Sequence, residues 1–422
     1  MSRELLALVE SNTTGTGRHF AQNAVRLGIE PVLITHDPER YPYVREDGVR
    51  HVLADTSHEQ AVFDAVSALN QEGTVVGVTS SSDYYIATAA QVARRLGLPG
   101  PPPEAVADCR DKGTQRRVLE AAGVPGPRFA VVSQLAEAVA AAQDIGFPAV
   151  LKPAQGSGSL GVRLCADAGQ VRTHAAELLG TTVNERGLAA DAHVLVEEAV
   201  AGDEFSVEVF DGRAVAVVSK HLTPHPYFVE TGHDVPAAIP DGITGSLTAC
   251  AESAAAALGL IHGAVHVELR IGSDGPRIIE VNPRLAGGMI PDLLRRARGV
   301  DLVRAQVLAA LGRPADLTHT RSATASIRFV TANGDAVVST RTEHTVAAAR
   351  AVDGVAEVAF YKTPGTSVKA PQDFRDRLGH VIAVADTPQR SREAAETAVR
   401  GMRTALVTST TTVHPGMEAS LR

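Results

Sequence analysis

The 422-residue sequence has few cysteines, no excess of positive charge and no long apolar segment. Its three cysteines lie far apart, without the spacing of a zinc site or a disulfide framework, so a reducing cytoplasm is the expected location. The formal net charge of −8 argues against a general nucleic-acid binder or a membrane-surface protein. No apolar run reaches about 18 residues, and the first residues lack a signal-peptide core, so we expect no membrane segment.

The N-terminal region has the pattern of a βαβ unit. An apolar run at 4–9 leads into a loop at 10–17, a helical pattern and a second apolar run at 31–35. The glycine pair in this loop resembles part of a dinucleotide-binding fingerprint, but Phe20 stands where that fingerprint has glycine. We therefore expect the loop to cap a helix or to present backbone N–H groups to a carboxylate, and not to bind NAD.

A loop rich in glycine and serine joins two predicted strands between residues 147 and 163. Lys152 ends the first strand, and Gly156, Gly158 and Gly161 allow the loop backbone to approach a polyanion closely. The loop is not a Walker P-loop, because its lysine precedes the glycines. The alternative is a plain hairpin connection, and the loop alone does not decide between the two.

The strongest motif is a predicted hairpin that ends shortly before Arg284. Alternation along the second strand places Glu280 and Asn282 on one face. With a three-residue turn at 273–275, Glu268 lies opposite Glu280, whereas a two-residue turn would direct Glu280 to the other face. Facing carboxylates repel each other, and together with an amide oxygen they form a ligand set suited to Mg²⁺. The alternative is an exposed face with solvated acids.

Two further segments carry polar side chains at predicted strand ends. In one, backbone groups from Glu197 to Val200 are placed to pair with an adenine edge, and Glu204 to accept from ribose hydroxyls. A hairpin with solvated acids is the alternative that this segment alone favours. In the other, residues 219–236, three histidines lack the spacing of a zinc site. We expect it to be a loop that lines a substrate pocket, with Glu230 and His233 as polar anchors.

The order of these motifs resembles that of the ATP-grasp superfamily over about residues 105–315. The resemblance implies an ATP-grasp fold with mixed α/β and α+β domains, a Rossmann-like N-terminal domain and a small C-terminal α+β domain. The predicted divisions are 1–104 (N-terminal βαβ domain), 105–190 (small lid domain), 191–318 (large domain with the metal site) and 319–422 (α+β cap without evident catalytic chemistry).

The resemblance also implies roles for particular residues. The nucleotide would contact Lys112, Lys152, Gly156, Ser157, Gly158, Ser159, Glu197, Glu198, Val200 and Glu204. Glu268, Glu280 and Asn282 would hold two Mg²⁺ ions, with Mn²⁺ as an alternative. Arg284 would stabilise the negative charge of an acyl phosphate and of the tetrahedral intermediate.

Within the superfamily, residues 223–236 look like the substrate loop of the bacterial L-amino-acid ligases of the bacilysin dipeptide-synthetase type. There a Glu-Thr-x-His follows a Thr-Pro stretch at the same spacing. This resemblance implies that Glu230 binds the amino group of the activated amino acid and that His233 lies near the reacting centre. It also implies a homodimer.

The expected function is therefore that of an ATP-dependent ligase. It would activate a carboxylate, of an amino acid, as an acyl phosphate and couple it to an amine, releasing ADP and phosphate. A biotin-carboxylase-like or purine-biosynthesis enzyme is one alternative, against which the amine-binding acid and the lack of a biotin-carrier motif argue. A non-catalytic nucleotide-binding protein is the other, and it would have lost Glu268, Glu280 or Arg284.

Overall fold

In a computed structural model of the protein, the described residues are 3–12, 16–156, 158–184, 187 and 192–408. Ser157, predicted to contact the nucleotide, lies outside them, as does Gly15 of the N-terminal loop. None of the helices in this part of the chain combines the length and apolarity that a membrane span requires.

The N-terminal region forms a parallel sheet with helices packed on it, as predicted. Its strands are β1 (Glu4–Val9), β2 (Glu30–Thr35), β3 (Arg50–Leu53) and β4 (Thr74–Thr79), in the order β3-β2-β1-β4. Its helices are α1 (Thr16–Arg26), α2 (Pro42–Glu46), α3 (Glu59–Leu69) and α4 (Ile86–Arg95). Strands β1, β2 and β4 are mostly apolar and buried, as is typical of a parallel sheet that is covered on both faces, whereas the edge strand β3 is partly exposed.

A smaller antiparallel sheet follows. It contains β5 (Phe129–Val132), β6 (Ala149–Pro153), β7 (Arg163–Cys165) and β8 (Val194–Glu198), in the order β5-β8-β6-β7. The helices of this region are α5 (Pro103–Arg110), α6 (Lys112–Ala121), α7 (Leu135–Ile145) and α8 (Ala168–Leu179). The predicted boundary at 190 would separate β8 from this sheet, in which it pairs with both β5 and β6.

The largest sheet has eight strands, in the order β13-β12-β9-β10-β11-β14-β18-β16. Strands β9 to β13 are Asp203–Phe210, Arg213–Leu222, Glu230–Val235, Ala264–Gly272 and Gly275–Asn282. Strands β14 to β19 are Thr324–Val330, Ala336–Val338, Val355–Phe360, Ser367–Val368, Gly379–Ala385 and Leu406–Thr408, with β17-β15-β19 in a separate small sheet. Helices α9 to α13 are Asp241–Ala257, Ile290–Arg298, Leu302–Ala310, Thr342–Arg350 and Pro388–Arg403.

This sheet crosses the predicted boundary at 318. β11 pairs antiparallel with β14, where His233 lies opposite Ile327. One buried apolar cluster also joins the N-terminal region to α10 and β14, through Phe20, Leu293 and Phe329. The C-terminal segment is therefore continuous with the large sheet, and its side chains reach the same cavity as those of β9 to β13.

Strands β8 and β9 do not form the hairpin that their sequence alone favours. β8 belongs to the small sheet and β9 to the large one. Residues 199–202, which join them, therefore connect the two sheets.

The hairpin of β12 and β13 has the predicted pairing of Glu268 with Glu280, but its turn is shorter than predicted. Its turn comprises two residues, 273–274, rather than the predicted three. A shift of register next to Glu268 leaves Ile279 as the extra residue of a bulge, and Glu268 still pairs with Glu280. Without this bulge, the shorter turn would have directed Glu280 away from Glu268.

Candidate active site

A cavity of about 1070 Å³ lies between the N-terminal region, the small sheet, the large sheet and the C-terminal segment. It brings together nearly all the predicted site residues, although they come from different sheets. Those that line it are Lys112, Lys152, Gly156, Gly158, Ser159, Glu197, Glu198, Val200, Glu204, Glu230, Glu268, Glu280, Asn282 and Arg284.

The two predicted phosphate-binding lysines are held by defined partners. The Nζ of Lys112 donates to the carbonyl of Gly156 over 2.7 Å and lies 3.0 Å from Glu280 Oε1. The Nζ of Lys152 lies 2.7 Å from Glu197 Oε2. Lys112 therefore connects the glycine loop to the β12–β13 hairpin, and both ammonium groups stand at the cavity wall.

Glu197 is committed to a buried ion-pair network. Besides Lys152, it accepts from Arg116 Nε over 2.6 Å, and Arg116 also donates to the carbonyl of Ile278 on the outer strand β13. Burial raises the pKa of Glu197, but the charges of Arg116 and Lys152 outweigh it, so the pKa is lowered. Each oxygen of the Glu197 carboxylate therefore has a cation as its partner. The predicted adenine contact concerns the backbone of this stretch and stays a prediction.

The connection between the sheets is braced by Arg270. Its Nη1 donates to the carbonyl of Val200 over 2.9 Å, and its Nε to Glu204 over 2.9 Å. The neighbouring backbone at 199–201 faces the cavity. This is where the predicted adenine and ribose contacts fall.

A buried lysine that the sequence analysis missed organises the acids of the cavity. The Nζ of Lys220 lies 2.8 Å from Glu204, 2.9 Å from Glu268 and 3.1 Å from Glu230. Burial lowers the pKa of Lys220, but the three carboxylates outweigh it and raise the pKa well above its usual value. Its sequence signal was a single lysine on a strand of mostly apolar residues.

A second missed residue comes from the segment predicted to lack catalytic chemistry. Arg377 donates from Nη2 to Glu230 Oε2 over 2.7 Å, and from Nε to the carbonyl of Glu230 over 3.2 Å. Burial raises the pKa of Glu230, but the charges of Lys220 and Arg377 outweigh it and hold the pKa well below the usual range. Nothing in the local sequence marks Arg377, since its partner lies 147 positions away.

His233 is placed behind the cavity wall. It is fully buried, and its Nε2 lies 3.7 Å from Glu230 Oε2. Within the described residues neither ring nitrogen has a hydrogen-bond partner, and burial lowers the pKa to about 3. The ring packs edge-on against Phe329 and would clash with any side chain at Gly288. Segment 219–236, predicted as a loop, consists largely of β10 and β11.

The predicted metal ligands share one wall of the cavity. Glu268 and Glu280 face each other, and Asn282 follows on the same strand. Among the described residues, no three His, Cys, Asp or Glu side chains form a metal centre, so the candidate set needs the amide of Asn282. Glu268 pairs with Lys220, and Glu280 pairs with Lys112, in each case through Oε1. Two carboxylates and an amide oxygen on a polar wall fit Mg²⁺.

His266 lies beside this set. Its Nδ1 is 2.8 Å from Glu208 and its Nε2 is 3.1 Å from Glu268. Burial lowers the pKa of His266, but Glu208 and Glu268 outweigh it and raise the pKa to about 9. The ring is therefore cationic at neutral pH and balances the acids around it.

Three family models match the chain in sequence. The ATP-grasp N-terminal domain matches residues 21–100, the ATP-grasp domain residues 145–292, and the L-amino acid ligase C-terminal domain 2 residues 321–406. Together they cover strands β2 to β4 of the N-terminal sheet, most of the residues that line the cavity, and the C-terminal segment from 321 to 406.

Similar proteins are known in bacteria. An uncharacterized protein of Sinorhizobium fredii is 36% identical over 398 residues, which are 94% of this chain and 81% of that protein. The alanine–anticapsin ligase of Bacillus amyloliquefaciens is 30% identical over 292 residues, which are 63% of this chain and 60% of the ligase. The solved structure of the L-amino acid ligase from Bacillus licheniformis has the same fold, with a TM-score of 0.78, 20% identity, and coverage of 96% of this chain and 98% of that one.

Proposed function

We propose that this protein joins an amino acid to a second amine-bearing molecule. The chain belongs to the ATP-grasp superfamily and is an ADP-forming C–N ligase of the L-amino-acid-ligase type. The observation that supports this best is the continuity of the cavity. Phosphate-binding lysines and the glycine loop line one part of it, and Glu230 stands in another. A nucleotide and an amino acid can therefore bind in one enclosed space.

The cavity residues divide into two groups by charge. Lys112 and Lys152 are point charges that neutralise phosphate oxygens. Glu268, Glu280 and Asn282 would hold Mg²⁺, whose chemistry is to neutralise charge on the transferred phosphoryl group. Arg284 would donate to the developing negative charge on the acyl carbon's oxygen, as its predicted role requires.

Glu230 is the group we assign to the amino substrate. It already contacts Lys220 and Arg377. A carboxylate offers about four acceptor positions, so an ammonium group can share it with these two cations. Arg377 and Lys220 would hold the carboxylate in place while the substrate binds.

The test is phosphate release from ATP and Mg²⁺ with all pairwise combinations of amino acids, with bicarbonate as a control. ADP release together with a dipeptide mass for particular pairs is the expected result. Release with bicarbonate alone would assign the chain to a carboxylase-like reaction instead. ATP binding without release in any well would contradict the ligase assignment for amino acids.

The assembly and location stay predictions. The resemblance to L-amino-acid ligases predicts a homodimer, which light scattering of the purified chain would test. The scattered cysteines predict a cytoplasmic protein. The same resemblance predicts that its partners are small-molecule substrates.

A further inference from the structure

Three ionisable side chains of the C-terminal segment form a hydrogen-bonded chain that ends in the cavity. The hydroxyl of Tyr361 is hydrogen-bonded to Nδ1 of His380. The Nε2 of His380 lies 3.2 Å from Glu357 Oε1. We call these three residues the tyrosine relay.

The register of the large sheet explains this alignment. His380 on β18 lies opposite Ala359 on β16. Glu357 and Tyr361 stand two positions before and after Ala359, so period-two alternation puts both on the face of His380. The relay therefore depends on pairing between two strands and not on a local motif.

The relay runs from the cavity into the protein. Tyr361 lines the cavity and is 51% exposed, whereas His380 is buried. Glu357 also pairs with Arg296 of α10, which holds the carboxylate in place. The carboxylate accepts from Nε2–H, so Nδ1 is the nitrogen that accepts from the tyrosine hydroxyl.

Arg377 acts both on the Tyr361 hydroxyl and on Glu230, the acid assigned to the amino substrate. Burial raises the pKa of Tyr361 to about 12, and the nearby charge of Arg377 opposes that rise. Arg377 in turn contacts Glu230. The relay and Glu230 therefore flank the same arginine.

Coupling requires a base, because an amine enters as an ammonium ion and must lose a proton before it can attack. Most acids of the cavity are held by cations, with Lys220 shared by Glu204, Glu230 and Glu268. His266 also lines the cavity, but both of its ring nitrogens are engaged, Nδ1 with Glu208 over 2.8 Å and Nε2 with Glu268 over 3.1 Å. The tyrosine relay offers an imidazole backed by a carboxylate, which is the arrangement that favours proton uptake.

We propose that Tyr361 is a catalytic residue of the coupling step, which deepens and rests on the proposed function. An N–H bond of the substrate ammonium breaks, and its proton passes to the Tyr361 oxygen. The hydroxyl's own proton passes to Nδ1 of His380, and Glu357 stabilises the imidazolium. The nitrogen keeps the electron pair with which it attacks the acyl carbon. The C–N bond forms as the bond between the acyl carbon and the phosphate oxygen breaks, and the departing phosphate takes the second proton of the nitrogen. After coupling, His380 returns its proton to solvent through Tyr361.

The test compares two nucleophiles in the full-length enzyme, using the amino-acid pair that gives most phosphate release. The first nucleophile is the amino acid, and the second is hydroxylamine, which is already neutral at neutral pH. In Tyr361→Phe, coupling of the amino acid should fall about 10²-fold, the usual contribution of general base catalysis. Hydroxamate formation should stay close to that of the wild type.

The pH profile tests the two residues behind the hydroxyl. The charges around His380 are those of Glu357, Arg296 and Arg377. In Glu357→Gln the imidazolium of His380 loses the negative charge that stabilises it. The acid limb of the pH–rate profile for amine coupling should therefore move to lower pH, and the maximal rate should fall. Glu396→Gln is the matched control, because this acid pairs with Arg328 and belongs to α13. Its profile should match that of the wild type.

Three outcomes would overturn the proposal. Equal loss with both nucleophiles in Tyr361→Phe would mean a structural or binding role. Unchanged amine coupling in Tyr361→Phe would show that Tyr361 takes no part in the reaction. If His225→Gln instead showed the amine-selective loss, the base would be His225, which also lines the cavity. A wild-type enzyme that forms no hydroxamate with any amino acid would overturn the proposed function itself, and the relay's role with it.

Discussion

Arg284 donates a hydrogen bond from Nε to the carboxylate of Asp83, 201 positions earlier in the chain. Asp83 follows β4, and its main-chain carbonyl accepts from Arg110. Burial raises the pKa of Asp83, but the charge of Arg284 outweighs it, so the pKa is lowered. This pair joins the N-terminal sheet to the end of the β12–β13 hairpin, and both residues line the cavity.

We expect Asp83→Asn to destabilise the protein and to slow turnover. The variant leaves the half-buried guanidinium of Arg284 without its countercharge. Breaking a fully buried pair costs about 3–5 kcal/mol of unfolding free energy, so we expect a smaller loss here. The retained amide oxygen should reduce this cost. Urea denaturation measures the free energy, and calorimetry should show that ATP still binds.

Asp47→Asn is the control for this prediction. Asp47 also pairs with an arginine, Arg18, but that guanidinium stands at the surface. An exposed pair contributes about 0–1 kcal/mol. Equal losses of stability in the two variants would contradict the structural importance assigned to the Asp83–Arg284 pair.

Glu280→Gln should reduce phosphate release strongly while leaving ATP binding measurable. The substitution removes one carboxylate of the predicted metal set and the partner of Lys112, 3.0 Å away. Loss of such a group lowers metal affinity or activity by about 10–100-fold. Activity titrated with Mg²⁺ and with Mn²⁺ should show a raised metal requirement, and full activity at low Mg²⁺ would rule out the metal assignment.

Lys220→Met should destabilise the protein at neutral pH and much less in acid. Three carboxylates lose their shared cation, and an uncompensated buried charge costs about 3–5 kcal/mol. The pKa of Glu230 is depressed in the folded protein. Its stabilising contribution is therefore present above the unfolded pKa of about 4.3 and is lost as the pH falls. The difference between the urea midpoints of the two proteins should therefore shrink as the pH falls below about 4.3 towards the depressed pKa of the folded state. An unchanged difference from about pH 5 to about pH 2 would contradict the charge argument.

Gly158→Ala should weaken ATP binding, because the new side chain would clash with the C-terminal segment that the glycine loop contacts. Gly158 has φ +68°, and a Cβ there would lie 2.6 Å from the ring of Phe374. The left-handed backbone alone costs a non-glycine residue about 1–2 kcal/mol. Gly365→Ala separates the two effects, since Gly365 has φ +89° with open space around it.

The double variant Gly158→Ala, Phe374→Leu should recover part of the lost ATP affinity, because the smaller side chain makes room for the new methyl group. Calorimetry with ATP measures all four proteins. No recovery in the double variant, or an equal loss in Gly365→Ala, would mean that the contact with Phe374 does not matter for the nucleotide.

Local pattern was a good guide wherever the chemistry depends on neighbours along one strand. Alternation on β13 placed Glu280 and Asn282 on one face, and the facing of Glu268 and Glu280 is confirmed. The predicted turn length was wrong: the turn is one residue shorter, and a bulge on β13 compensates for it. A bulge leaves little trace in the alternation of so short a strand.

The roles predicted for individual residues stay predictions, but the structure shows surroundings of two of them that the sequence pattern did not indicate. Glu197 proved to be an ion-pair partner of Arg116 and Lys152, and His233 to stand behind the wall. Both outcomes depend on which side chains from other elements fill the space around them. A sequence pattern shows the face of a strand but not the depth at which that face is buried.

The sequence by itself determined the superfamily, the order of the elements and the faces on which the acids of the hairpin lie, because these depend on short spacings along the chain. Only the tertiary structure decided which cations hold those acids. Lys220 pairs with three carboxylates from three strands, and Arg377, which shortly precedes β18, pairs with Glu230 on β11. Such pairs form because strands remote in sequence become neighbours in the sheet, and buried charge is stable only where that pairing supplies its opposite.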